Sequence, residues 1–223
     1  NRTFADAAFG DDGATGLIEL NFAAADKKVT LQHANARLLA TNVTLNQNGD
    51  HVIEVQTGTG DAQVIAGAIN AAGRMNTAGN GYGLTIKVMG GVRTDANVTN
   101  ADFKANLVAD QADVVTLTLD DNAAGSVGNL GSENARFIDT IFAQAVANEI
   151  SVGDIYSKDI TVNDGRKAKF RGKVVSDKVT LVNVDSQARF ADGVHLKSKV
   201  VPGNAGGEGL VEFEGAAIID ETI

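Results

Sequence analysis

The sequence predicts an all-β chain, a right-handed parallel β-helix (β-solenoid) with possible short helical excursions. Three observations carry that expectation: many short β-branched runs bounded by turn residues, a period near 20 residues in the C-terminal third, and a core poor in large rings. Of 223 residues 43% are hydrophobic, but only 5% are aromatic and none is Trp. The core must therefore be built from Val, Ile, Leu and Ala, which suits thin stacked layers better than one globular centre. Glycine is abundant at 25 residues against a single proline, Pro202. That ratio excludes collagen and fits a structure with many tight turns.

The strands read as follows in chain order. Leu17-Ile-Glu-Leu-Asn-Phe22, Lys28-Val-Thr-Leu31, Asn42-Val-Thr-Leu45 and Val52-Ile-Glu-Val55 come first. Leu84-Thr-Ile-Lys-Val88 and Val114-Val-Thr-Leu-Thr-Leu119 follow, then Ile160-Thr-Val162, Lys178-Val-Thr-Leu181 and Gly209-Leu-Val-Glu-Phe213. Each is bounded by Gly, Asn or Asp, the signature of short strands between turns. Two segments read as helix instead. In 133–150 the residues Phe137, Ile138, Ile141, Phe142, Ala145 and Val146 stand at helical spacing, and 61–72 is rich in Ala before Gly73. Either would be an excursion from the stack or a cap over an exposed edge.

Internal similarity points to a solenoid. Ile155, Ile160 and Val162 are followed nineteen residues later by Val174, Val179 and Leu181, and Phe170-Arg-Gly172, Phe190-Ala-Asp-Gly193 and Phe213-Glu-Gly215 recur at steps of 20 and 23. A longer-range order, Asp-Lys, Val-Thr-Leu, Ala-Arg-apolar and Val-x-Leu, starts at Asp26 and again at Asp177. Inward side chains of such coils stack on the coils above and below, burying a core that no single coil could bury alone. At roughly 20 to 23 residues per coil and ~4.8 Å between strands, about ten coils would span about 50 Å. The chain reads as one solenoid body over 1–223, clearest at 150–215 and less regular at 61–149. An antiparallel sandwich of look-alike hairpins is the competing reading.

Charge narrows the partners. The net charge is −9, and basic residues are scattered as Lys27-Lys28, Arg166-Lys167 and Lys197-x-Lys199. Without a basic stripe interleaved with aromatics, nucleic acid and anionic membrane surfaces are disfavoured. The apolar runs fall far short of a spanning helix, so no membrane insertion by this piece is expected. Starting at Asn1 without a signal peptide, the chain reads as an excised piece whose targeting and anchoring parts lie outside it.

The run Ile150-Ser-Val-Gly-Asp-Ile-Tyr-Ser-Lys-Asp-Ile-Thr-Val162, with the three Phe motifs and Gly206-Gly-Glu-Gly-Leu-Val-Glu-Phe-Glu-Gly215, resembles a known family. It is similar to the passenger region of rickettsial outer-membrane autotransporters, the surface cell antigens of the outer membrane protein A and B type. The resemblance is good over 130–223, weak over 15–60, and its motifs are repeat-structural rather than catalytic. It implies a β-helical passenger at the bacterial cell surface, anchored through an outer-membrane barrel that this piece does not contain. It also implies adhesion to a host cell-surface protein or glycan, or a protective surface layer. Zero cysteine leans the same way, since a thiol pair could lock a chain crossing an oxidising periplasm. A self-assembling surface-layer module, with self-association of the chain, is a separate reading.

No catalytic set is legible. The histidines are His33, His51 and His195, none in a triad-like motif, and no trio has zinc spacing. The adjacent acids Asp11-Asp12 and Asp120-Asp121 sit beside Gly13 and Asn122 as turn material, and Gly206-Gly-Glu-Gly209 lacks a phosphate-loop Lys. The chain is therefore expected to be non-enzymatic, with no cofactor and no metal site. The alternative is a β-solenoid carbohydrate-active enzyme or tailspike-like depolymerase, which needs paired carboxylates. The one candidate binding feature is basic: Lys169, Arg171 and Lys173 alternate, which on an extended segment puts them on one face as a docking patch for an acidic partner or glycan.

Overall fold

The computed structural model describes residues 2–5, 17–22, 26, 28–33, 38–45, 48–49, 51–57, 62–70, 84–89, 94–98, 106–109, 111–119, 125–143, 149–203 and 209–220. The first strands are β1 (Arg2–Ala5), β2 (Leu17–Phe22), β3 (Lys28–His33), β4 (Leu38–Leu45), β5 (His51–Thr57) and β6 (Ala62–Asn70). Next come β7 (Leu84–Met89), β8 (Thr94–Val98), β9 (Asn106–Ala109), β10 (Val115–Leu119), β11 (Gly125–Ser126), β12 (Phe137–Phe142) and β13 (Glu149–Val152). The last are β14 (Ile155–Val162), β15 (Lys167–Phe170), β16 (Val174–Leu181), β17 (Gln187–Phe190), β18 (Val194–Pro202), β19 (Leu210–Phe213) and β20 (Ala217–Ile219).

Strands pair with the strand one coil away, never with their chain neighbour, and every such pairing is parallel. That is a β-solenoid and excludes the sandwich. One sheet runs β1-β3-β5-β7-β9, a second runs through the even-numbered strands from β2 to β20 with β10 and β12 at its centre, and a third runs β11-β13-β15-β17-β19. Single bridges from Leu130 to Leu107 and to Ile155 carry the first sheet into the leading halves of β14, β16 and β18. From residue 106 onward each coil thus has three walls: a first wall through Leu130 and Ile155, a second through β10 and β12, and a third through β13 and β15.

The core is a set of ladders. On the first wall Leu107, Leu130, Ile155, Val174 and Leu196 succeed one another and are fully buried. On the second, Leu119, Phe142, Val162 and Leu181 do the same. On the third, Phe170, Phe190 and Phe213 stack at 5.1 and 4.9 Å between ring centroids, each pair only 19° from parallel. Phe142 meets the end of this row edge-on, 5.8 Å from Phe170. Each such buried side chain contributes about 1.5–3 kcal/mol. The sequence-level steps of nineteen, 20 and 23 are these registers.

Two corners hold the walls at angles. Between first and second walls, β14 and β16 run through a bend where two consecutive residues face outward, Lys158-Asp159 and Asp177-Lys178. The buried residue just before the bend is Ser157, Ser176 or Ser198. Ser157 donates to the Asp159 carbonyl at 2.6 Å and accepts from Thr140 at 3.1 Å, and Ser176 and Ser198 share a hydrogen bond at 2.5 Å. Between third and first walls, each coil's side-chain oxygen accepts a backbone N–H from the next: Asn129 N–H to Asn106 Oδ1, Asp154 N–H to Asn129 Oδ1, Lys173 N–H to Asp154 Oδ1, at 2.7–2.9 Å. Gly153 and Gly172 lie against these oxygens, and a Cβ at either would collide with Asn129 or Asp154.

Both expected helices are strands. Segment 61–72 holds β6, paired on one side with β4 and on the other with β8, so backbone pairing on two edges overrides its helix-favouring composition. Segment 133–150 holds β12 and the start of β13. Its buried positions Phe137, Thr140 and Phe142 step by three and then two because the corner adds one outward residue, which imitates helical spacing; Ala145 and Val146 lie outside the described residues. The longer-range order also breaks. Val29 shares the first-wall ladder with Val174 and Leu196, whereas Val179 lies on the second wall with Ile160. The Val-Thr-Leu runs at 29–31 and 179–181 therefore occupy different walls.

Candidate functional site

The coils expose two charged faces. The outer face of the third wall follows from strand alternation: in β13, β15 and β17 the second and fourth residues are buried, so Glu149, Lys167 and Gln187 form one outward row and Ser151, Lys169 and Arg189 the next. Arg189 is the hub. Its guanidinium reaches Glu212 at 3.0 Å on the following coil, Glu214 at 2.9 Å, and Glu149 at 2.8 Å two coils back. Lys169 closes the network with Glu214 at 2.8 Å. The hydrogen bond from Lys169 outweighs desolvation and, helped by the charges of Lys169 and Arg189, holds the Glu214 carboxyl below the ordinary glutamate range.

The expected basic patch sits at one edge of this face and is not a single row. β15 ends at Phe170 and the chain turns at Arg171-Gly172, so alternation stops there. Lys169 is ion-paired, Arg171 donates from Nη2 to the Val127 carbonyl at 2.7 Å, and Lys173 lies 5.6 Å over the Tyr156 ring. All three cations are thus engaged within the stack.

The second charged face is the outer side of the second wall. Thr116, Asp139, Asp159, Lys178 and Lys199 form one outward ladder through consecutive coils. Two carboxylates therefore stand on adjacent coils, about 4.8 Å apart at the backbone. Burial, and next the charge of Asp159, push the Asp139 carboxyl above the ordinary aspartate range, against hydrogen bonds from Thr140 and Thr161 and the charge of Lys178. Thr161 Oγ1 lies 3.5 Å from Asp139, and Lys178 lies 3.8 Å from Asp159. Unlike the adjacent acids Asp11-Asp12 and Asp120-Asp121, these two are 20 residues apart in the chain, the same step as Phe170 to Phe190. At the corner beside them, Arg136 bridges Asp113 at 2.9 Å and Asp177 at 3.1 Å.

The remaining candidates are placed as follows. His195 pairs with Asp220 at 2.7 Å, with Lys197 at 3.5 Å from the same carboxylate. The hydrogen bond with His195, ahead of the hydrogen bond and charge of Lys197, holds Asp220 below the ordinary aspartate range despite desolvation. His51 is fully buried in β5, and the His33 side chain lies outside the described residues. Asp11-Asp12 and Asp120-Asp121 also lie outside them, and of Gly206–Gly209 only Gly209 is described, packed against Leu181. Among the described residues no group of three or more His, Cys, Asp or Glu is placed to hold a metal ion. No family model, curated protein or solved structure matches this chain.

Proposed function

We propose that the chain is a non-enzymatic rod of a bacterial cell surface, an autotransporter passenger that acts in adhesion to host cells or as a protective surface layer. The observation that supports this reading is the Arg189 network. Its ion pairs run along the solenoid axis, from Glu149 to Glu212 and Glu214, so charged side chains are spent on cohesion between coils. A stack held by nearest-neighbour contacts makes a stiff body with long flat faces, which suits contact with large partners. The motifs that resemble rickettsial passengers are the ones that build the Phe ladder and its turns. Anchoring through an outer-membrane barrel and a host protein or glycan partner belong to this proposal, as does a docking role for Lys169, Arg171 and Lys173.

The test is saturable binding of the labelled chain to host cells, compared with cells stripped of surface protein or glycan, together with sedimentation to detect self-association. Saturable binding lost on stripping supports adhesion, and ordered self-association supports a layer. The absence of both would overturn the proposal. A carbohydrate-active enzyme is the second reading, and the Asp139–Asp159 pair on adjacent coils favours it, since glycosidases work with paired carboxyls, one of them held above its ordinary range, as burial and then the charge of Asp159 hold Asp139. Polysaccharide cleavage lost in Asp159→Asn would establish that reading.

A further inference from the structure

We propose that the outer face of the second wall pairs with a second copy of this chain, face to face, about a two-fold axis parallel to the strands and midway between β14 and β16.

The order of charges along the solenoid carries this inference. One outward ladder reads Asp139, Asp159, Lys178 and Lys199 on four consecutive coils, two acids followed by two lysines. A two-fold axis at its midpoint reverses the coil order of the partner and keeps the strand direction. Asp159 then faces Lys178 of the other copy, and Asp139 faces Lys199, so four opposite-charge pairs form across one contact. The neighbouring ladder, Ile141, Thr161, Thr180 and Val201, is matched by the same operation. Ile141 meets Val201 and Thr161 meets Thr180, apolar on apolar and hydroxyl on hydroxyl. Two ladders that agree on one axis make the face self-complementary, as an isologous contact requires. Moving the axis one coil earlier sets Asp139 against Asp159, and one coil later sets Lys178 against Lys199. Like-charge repulsion therefore fixes the register. Within one chain the neutralisation is incomplete, since the Lys178 ammonium is 3.8 Å from Asp159, beyond hydrogen-bond distance, and Lys199 is exposed. The charge of Asp159 helps burial to push the Asp139 carboxyl up, and a facing lysine offsets that repulsion. Four coils at ~4.8 Å make a short contact, which places the pair in the weak, transient class of interfaces.

The pairing rests on neither functional reading, and it closes at two chains, whereas a surface layer grows. The experiment is sedimentation equilibrium of the full chain at high concentration, and a reversible dimer that grows no further is expected. Asp159→Lys and Lys178→Asp each set like charges on facing coils and should weaken the dimer by roughly tenfold or more. Their side chains are 33% and 51% exposed, so both variants should fold, which circular dichroism checks. An equimolar mixture of the two restores every opposite-charge pair and should recover the wild-type affinity, a result that damage to either fold could not produce. Glu212→Gln, on the third wall, should leave the dimer unchanged. A monomeric wild type, growth beyond two chains, single variants that pair as the wild type does, or a mixture of the folded variants that stays monomeric overturns the proposal.

Discussion

The coils from Ile155 to Ile219 and those from Val29 to Leu107 use the same architecture with different regularity. In the later stretch the first-wall ladder advances by 19, 22 and 23 residues; in the earlier one it advances by 24, 33 and 21. Both are parallel ladders in continuous register. A connection that is longer by ten or so residues costs little closure entropy, because that cost grows only logarithmically with length. Backbone pairing therefore tolerates the irregularity. What the later coils add is recurrence of the same side chain at particular positions, with Phe above Phe on the third wall and Ser176 bonded to Ser198 at the corner between the first and second walls.

The strongest way to break this comparison is a charge in the later core. Leu181 is 3% exposed between Val162 and Pro202 on the second wall. Leu181→Asp buries a carboxylate there at a cost of at least several kcal/mol, and nearest-neighbour coupling should confine the first loss of hydrogen-exchange protection to residues 155–203, leaving 17–55 protected. Thr180→Asp, on the outward ladder with Thr161, should do far less. Equal loss of protection throughout the chain would show that the coils do not act as a one-dimensional stack.

Truncating the Phe ladder comes next. Phe190 lies between Phe170 and Phe213 and is fully buried. Phe190→Ala should cost about 3–5 kcal/mol by urea unfolding. The same change at half-buried Phe213, which stacks on Phe190, should cost less, and equal costs would mean that stacking between coils is not the source.

How much of this was legible depends on whether a feature repeats at one step or across a corner. Val162 and Leu181, like Phe170 and Phe190, could be read because each pair recurs at the coil step with the same side-chain class. Segment 133–150 reads as helix because the corner at Ile138-Asp139 inserts one outward residue, turning a period of two into a three-two rhythm, and 61–72 does so because its alanines favour helix. The acid pair was missed although Asp139 and Asp159 obey the same 20-residue step, because one lies in Phe-Ile-Asp-Thr and the other in Ser-Lys-Asp-Ile. Aligning the bends rather than the apolar runs would have found it. The Arg189 network was beyond reach for a different reason: a guanidinium reaching two coils back is a matter of side-chain length, which periodicity does not encode.

The corner glycines sharpen the point at smaller cost. A Cβ at Gly172 would meet Asp154 Oδ1, which accepts the Lys173 N–H at 2.7 Å. Gly172→Ala should cost about 1–3 kcal/mol through overpacking, and pairing it with Asp154→Ala should recover part of that by removing the obstacle. A double variant no better than the sum of its parts would show that the two residues are not coupled.

The smallest effect tests whether the Arg189 face stabilises the later coils at all. Glu214 is held below the ordinary glutamate value of 4.5 by Lys169 and Arg189. A carboxyl whose folded-state value is depressed binds protons more weakly when folded, so its stabilising contribution is complete above the unfolded value. That contribution is lost as pH falls through the depressed folded value, so acid should loosen the coil that Glu214 ties down. Hydrogen exchange corrected for intrinsic rates should show β19 losing protection before β14 as the pH falls below the ordinary glutamate value. Salt at neutral pH should produce a partial version of the same change, since ion pairs at a surface are screened. In Glu214→Gln the acid sensitivity of β19 should shrink. If the variant keeps the wild-type acid response, another carboxylate governs this coil, and the network along the third wall contributes no measurable cohesion there.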